Sequence, residues 1–409
     1  MKKDRHKPIF IANRVQQVFD LIFYGGEFWY HKNGCYRPAE MVIRNFLQTE
    51  LGKYFSSRFV SEVLYVLQSR CYTKNVKVNP QLISFKNGVY DWIEDKLYSH
   101  KEVSDQRFMT QLPVNFNPKA KCTRIDRFLD EVMRPEDKKA LLQFIGYCLI
   151  PTTRFEKAMM LVGDGANGKS TFLKTLIALI GKSNTSTLSL YDLSHRFRLA
   201  EIVGKLVNVF PDLPYKKIQD SSAFKAIVSG DPITAEKKYL KPFTFEPFTK
   251  LIFSTNKLPQ IQDISHAFFR RWLIVQFPNT FEGDKKDPGL LSQLTTQHEL
   301  EGLLLLAIEG LNSLYEAEDF AESQGMRDMR EEYERMNNPV SVFIDERCNV
   351  GPDYKVGKVI LYEDFKHFVS NEKLPLLSQI EFNKELSKQI PTLKEISGKE
   401  RYWRGIAIS

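Results

Sequence analysis

Residues 163–171 read GDGANGKST, between the apolar run Ala158 to Val162 and the stretch FLKTLIALI from Phe172 to Ile180. Gly163 to Ser170 fits the pattern G-x-x-x-x-G-K-[ST]. Glycines at 163, 165 and 168 allow a tight turn whose N–H groups come up against phosphate oxygens. The N-terminus of a following helix adds partial positive charge. The run Gly163, Asp164, Gly165, Ala166, Asn167, Gly168, Lys169, Ser170 and Thr171 is therefore the expected phosphate cradle of a bound ATP. Lys169 would reach the β- and γ-phosphates, and the Ser170 hydroxyl would ligate Mg²⁺. That chemistry requires a strand before the loop and a helix after it, and the flanking patterns supply both.

Cleaving the nucleotide needs an acid at the end of a second strand. Asp212 follows the apolar KLVNVF and is so placed, as a catalytic and Mg²⁺-handling acid. A plain turn aspartate before Pro214 is the other reading. Asn256 ends KLIFSTN, where an amide can orient the attacking water or sense the γ-phosphate. The same Thr-Asn-Lys-Leu-Pro also reads as a turn. Arg270-Arg271, ahead of WLIVQF, offers a guanidinium for transition-state charge, with a salt-bridged surface pair as its alternative.

These residues need a scaffold. From about residue 155, apolar strands alternate with helices, which predicts a mostly parallel α/β sheet with strands at 158–162, 205–210, 250–255 and 272–277. Upstream, residues 1–80 read as largely helical, with hairpins expected around Asn33-Gly34 (28–37) and Asn87-Gly88 (82–92). Two helices split at Arg134-Pro135 fill 124–150, and 300–335 reads as helix. The expected domains are 1–150, 151–335 and, after the break at Asn337-Asn338-Pro339, 340–409.

The chain has 409 residues and a formal net charge of +8, which points toward an anionic partner, nucleic acid first. Its five cysteines show no C-x-x-C spacing, which argues against a disulfide framework or a zinc site. No apolar run is long enough to span a membrane, and the basic MKKDRHKPIF lacks a signal-peptide core, so a cytoplasmic location is expected.

The order of motifs resembles the superfamily 3 helicases, the AAA+-type hexameric DNA helicases of viruses, phages and plasmids. The resembling elements are A-N-G-K-S, a short acid motif, a strand ending in Thr-Asn, and an arginine before F-P-N-x-F. The group most resembled is that of phage, plasmid and poxvirus primase-helicases. Upstream, FKNGVYDW, LPVNFNP and LLQFIGYCLI resemble the leader domain of that group. The resemblance implies an AAA+-like P-loop core with a mainly helical N-terminal collar and a C-terminal winged-helix-like domain. It implies a homo-hexameric ring in which Arg271, rather than Arg270, completes the neighbour's site.

It also implies that the hairpin within Ser229 to Phe248 projects into the ring channel. There Lys238-Tyr239 matches a lysine-histidine pair, with Lys237 and Lys241 as rival leading lysines for DNA phosphates. An exposed charged hairpin is the alternative. Pro211 stands where the family often carries a first acid, so turnover would be slow. The C-terminal stretch carries Lys384, Lys388, Lys394, Lys399, Arg401 and Arg404, a basic face for duplex DNA or for protein docking. The expected function is an ATP-driven helicase on single-stranded and forked DNA, with a separate primase or replisome protein as partner. An initiator that assembles on or melts origin DNA, and a P-loop regulator with no nucleic-acid role, are the alternatives.

Overall fold

The computed structural model describes residues 7–74, 76, 78–238, 240–283, 287–372, 374–397 and 401–409. In chain order, α1 (Pro8–Val18) leads into an antiparallel meander of β1 (Leu21–Tyr24), β2 (Glu27–Lys32) and β3 (Cys35–Pro38). Helices α2 (Glu40–Leu51) and α3 (Ser57–Cys71) follow, then a second meander of β4 (Leu82–Phe85), β5 (Gly88–Asp91) and β6 (Lys96–Tyr98). Next come α4 (Thr123–Val132), α5 (Lys138–Cys148), β7 (Ala158–Val162), α6 (Lys169–Ile180) and β8 (Thr185–Ser186). The short α7 (Arg196–Leu199) precedes β9 (Val207–Phe210), α8 (Ser222–Ser229) and the hairpin β10 (Ile233–Ala235) to β11 (Phe243–Phe245). Then follow β12 (Lys250–Thr255), α9 (His266–Phe269), β13 (Trp272–Gln276), α10 (Leu290–Leu294) and α11 (Gln297–Ala317). The chain ends with α12 (Gln324–Asn337), α13 (Pro339–Arg347), β14 (Cys348–Gly357), α14 (Lys358–Asn371), α15 (Gln379–Gln389), β15 (Lys394–Ile396) and β16 (Tyr402–Ile408).

Two compact units divide the chain. The first holds Met1–Pro214, Ser221–Lys257 and Leu273–Ser323; the second holds Tyr215–Asp220, Leu258–Trp272 and Gln324–Ser409. The first unit is built round a five-stranded sheet in the order β13-β7-β12-β9-β8. Strand β12 runs parallel to both neighbours, with Ile252 opposite Met159 on β7 and opposite Val209 on β9. Its six residues are all buried, as a strand covered on both faces must be. Asn208 pins the short edge strand β8: its amide oxygen accepts from Ser186 Oγ at 2.9 Å and from the Leu188 N–H at 2.7 Å.

Helices α5 and α11 cross at two glycines. A Cβ on Gly310 would sit 2.5 Å from the Leu142 carbonyl oxygen, and one on Gly146 would meet the Ala307 carbonyl. The crossing is thus set by backbone against backbone. The N-terminal helices close over their own apolar core of Ile11, Val15, Ile43, Leu47, Val63 and Leu67.

The expected strands 158–162 and 250–255 are present residue for residue, and those at 205–210 and 272–277 are present but shorter. Both expected hairpins form; Asn33 and Gly34 take φ of 51° and 79° at the first. Three features differ. Residues 21–24 add a strand to the first hairpin within a stretch expected as helix. The helix expected over 300–335 breaks between α11 and α12, at Glu318 with φ 57°. Residues 348–357 form β14, which no expectation covered.

In the second unit, α13 is followed by strand, helix, helix, strand and strand, and the sheet order is β14-β16-β15. Phe343, Phe365, Phe382 and Trp403 fill its core. Asn338 caps α13, accepting from the Val340 and Ser341 N–H groups, and a Ser378–Glu381 capping box starts α15. Among the described residues, no helix is long and apolar enough to cross a membrane. None of the five cysteines is in a disulfide, and no group of acids, histidines and cysteines with metal-binding geometry occurs among the described residues.

Candidate nucleotide site and the β10–β11 hairpin

The loop between β7 and α6 needs its glycines for different reasons. At Gly163, an added Cβ would lie 2.6 Å from the Phe277 carbonyl oxygen and against the Asn167 side chain. Gly165 has open space round it but takes φ of 113°. Gly168, which caps α6, takes φ of 87°, and its Cβ would lie 2.7 Å from Val132 Cγ1 on α4. Ala166 bends through φ of 47°, and its carbonyl accepts the Phe281 N–H at 2.8 Å. The loop is therefore wedged between the end of α4 and the chain beyond β13.

Lys169 is 6% exposed at the first turn of α6. Its ammonium donates to the Gly163 carbonyl, to Asn167 Oδ1 at 2.8 Å and to Asn256 Oδ1 at 3.4 Å. Burial lowers its pKa, and the carboxylates of Asp164 and Asp212 pull the other way. Asn167 in turn donates to the Phe277 carbonyl at 3.3 Å.

Asp212 is exposed just past β9, with φ of 68°. Its N–H donates to Ser254 Oγ at 3.3 Å, and the next N–H, Leu213, to the Ser254 carbonyl at 2.7 Å. The Thr255 hydroxyl closes the corner by donating to the Leu213 carbonyl at 3.2 Å. The acid's loop is thus stapled to β12, the strand that ends in Asn256. Because β12 lies between β7 and β9, Asn256 projects between the cradle and the acid. Ser170 is exposed at the helix start and Thr171 half-buried.

Arg270 and Arg271 belong to the second unit. Arg271 is 8% exposed and its guanidinium donates to the Ala267 carbonyl, whereas Arg270 is exposed.

On the β10–β11 hairpin, Lys238 and Lys241 are exposed, and Tyr239 lies outside the described residues. Lys237 is not free: it forms an ion pair with Glu27, at the start of β2. Reading the sequence alone missed Glu27. The available signal was Gly25-Gly26 between two aromatic runs, a turn dipeptide, and the structure gives these glycines φ of 59° and 72°. In the second unit Lys384, Lys388, Lys394, Arg401 and Arg404 are exposed, and Lys399 lies outside the described residues.

Known proteins resemble parts of this chain. A family described as "D5 N terminal like" matches residues 12–134, and a family of unknown function, DUF5906, matches residues 161–271. A provisionally named helicase of Acanthamoeba polyphaga mimivirus is 25% identical over 248 residues, 56% of this chain and 25% of its own length. Another, of Invertebrate iridescent virus 3, is 23% identical over 292 residues, 66% of this chain and 30% of its own length. The chain resembles the phage and viral primase-helicases of superfamily 3. It spans a quarter to a third of the length of those curated relatives. The apo structure of the NrS-1 C-terminal region shares its fold, with a TM-score of 0.51 at 10% identity, covering 98% of this chain and 100% of that one.

Proposed function

We propose that this chain is an ATP-dependent DNA helicase that works as a ring in the replication of a phage, plasmid or other mobile element. One observation carries the reading: β7, β12 and β9 lie side by side and bring Lys169, Asn256 and Asp212 to one place. The viral relatives' helicase designations support it.

The residues present fit a nucleotide and its metal ion. The cradle has positions where only glycine's bare backbone fits, a buried ammonium and an exposed helix-start hydroxyl. Gly163 to Thr171 would hold the phosphates of ATP, and Ser170 with Asp212 would hold Mg²⁺, which supplies charge neutralisation at the β- and γ-oxygens. Lys169 already carries three acceptors on its ammonium, so its position is set before any phosphate arrives. Asn256 can orient water from the same side.

In this reading the ring is a homo-hexamer, and an arginine from the neighbouring copy completes each site. Arg271 is the assigned residue and exposed Arg270 its rival. Lys238 and Lys241 at the hairpin tip would grip phosphates of one DNA strand. Such contacts carry no sequence information. Residues 1–150 act as the collar, 151–335 as the AAA+-like motor and 340–409 as a winged-helix-like module. The helix–strand–helix–helix–strand–strand order and the exposed basic residues support that last assignment. A primase is a partner on another polypeptide or on further sequence. Pro211 beside a lone Asp212 favours a second reading, an initiator that binds ATP to assemble on or melt origin DNA without processive unwinding.

The test is hydrolysis and strand displacement on forked DNA, with Lys169→Ala as control. Lys169→Ala should abolish turnover; survival of turnover would mean the phosphate site is elsewhere. DNA-stimulated hydrolysis without displacement favours the initiator. Mixing Arg271→Ala or Arg270→Ala copies with Lys169→Ala copies should restore partial hydrolysis for whichever arginine acts across the interface.

A further inference from the structure

The β1–β2 turn reaches the root of the hairpin and touches both of its limbs. On the outgoing limb, just past β10, Lys237 pairs with Glu27. On the returning limb, the Phe243 ring lies against Gly26, where an added Cβ would be 2.8 Å from Phe243 Cε1. On the other flank α7 holds the same root: Arg196 pairs with Glu236 at 3.4 Å, and the Glu236 N–H donates to the Arg196 carbonyl at 3.1 Å. Within the hairpin the Thr234 and Thr244 hydroxyls bond at 3.3 Å. Among the described residues, Lys205, whose ammonium is tied to the Ser183 carbonyl at 2.6 Å, and Glu246, which acts on Tyr24, also lie by the turn.

We infer that Glu27 is a positioning residue that withholds Lys237 from nucleic-acid phosphates, leaving Lys238 and Lys241 as the hairpin's DNA contacts. The Glu27 carboxylate and a DNA phosphate compete for the same ammonium, and the carboxylate's charge beside Lys237 repels an approaching phosphate. Glu27 is 41% exposed and Lys237 21%, open enough for exchange with a phosphate. The pair makes the turn of the N-terminal region a brake on how many cations the hairpin presents. This inference rests on the proposed reading of the hairpin as a DNA-contacting element.

The experiment is binding of fluorescein-labelled oligo-dT by the full chain, followed by anisotropy across a salt series. Each cation that neutralises a phosphate on a single strand adds about 0.7 to the slope of log K against log salt. Glu27→Gln should steepen the slope by about 0.7 for each hairpin engaged with the strand and tighten binding about two- to fivefold per engaged hairpin at low salt. Lys237→Gln alone should leave the slope unchanged, and the Glu27→Gln/Lys237→Gln double variant should return it to the wild-type value. Lys238→Gln should flatten it. A melting temperature equal to wild type confirms that each variant is folded.

A purely structural Glu27 would alter melting but not the slope. The inference is overturned if Glu27→Gln leaves the slope unchanged, or if Lys237→Gln alone flattens it, since Lys237 would then already contact DNA. If wild type binds and Lys238→Gln weakens it, the DNA-contacting reading stands even when the Glu27 result fails. If neither wild type nor Glu27→Gln binds, both fall.

Discussion

Substituting Gly168 by alanine separates two sources of strain in the phosphate loop. Gly168 has φ of 87°, and an L-residue held in the left-handed region costs about 1–2 kcal/mol. The new Cβ would also lie 2.7 Å from Val132 Cγ1, about 0.7 Å inside ordinary contact. Overpacking of that kind costs about 1–3 kcal/mol. The loop would relieve both by moving, and binding would have to restore its shape. The affinity for nucleotide should then fall by about 2 to 5 kcal/mol, roughly thirty- to several-thousandfold.

Val132→Ala removes the obstructing methyl but not the dihedral cost. The Gly168→Ala/Val132→Ala double variant should therefore recover to roughly five- to thirtyfold below wild type. The assay is titration with a fluorescent ATP analogue, with melting temperatures as a fold control. A double variant no better than Gly168→Ala would refute the wedge against α4. Wild-type affinity in Gly168→Ala would refute the loop as the phosphate cradle.

Two more outcomes concern stability. Gly310→Ala puts a Cβ about 0.9 Å inside contact with the Leu142 carbonyl, so α5 and α11 must part; the melting temperature should fall by several degrees, and an unchanged value would show that the crossing is not backbone-limited. Lys250 is wholly buried, and burial pushes its pKa down to about 7. Between about pH 7 and pH 10 the unfolded chain then holds a proton that the folded chain lacks, so stability should rise with pH across that window, by about 1.4 kcal/mol per unit. Below about pH 7 both states are protonated and the dependence disappears. Denaturant melts at pH 7 and pH 9 should show this rise for wild type and its loss in Lys250→Met; an equal rise in both would place the effect elsewhere.

The glycine-rich turn and the strands that carry it were legible because both signals are local. A glycine-rich turn between an apolar run and a helical pattern needs no knowledge of the partner strands. The hairpins at Asn33-Gly34 and Asn87-Gly88 were legible for the same reason. What stayed hidden depends on distant partners. Strand β1 is a mere four residues long and gains its ladder from β2. The break after α11 has no proline, only Glu318 forced to positive φ. The Glu27–Lys237 pair joins residues 210 positions apart, and no pattern in either segment announces it. Equally, no spacing rule tells that Arg271 is buried and Arg270 exposed, since adjacent residues differ there by which way the turn after α9 directs them.

The two ends of β12 have separate attachments. At its start the Lys250 side-chain nitrogen donates to the carbonyls of Ile150 and Phe248, gripping the chain just past α5. At its finish Asn256 meets Lys169. A six-residue strand spans about 20 Å and, laddered on both edges, neither stretches nor bends easily. One continuous strand, held by ladders on both edges, therefore ties the segment after α5 to the lysine of the glycine-rich loop.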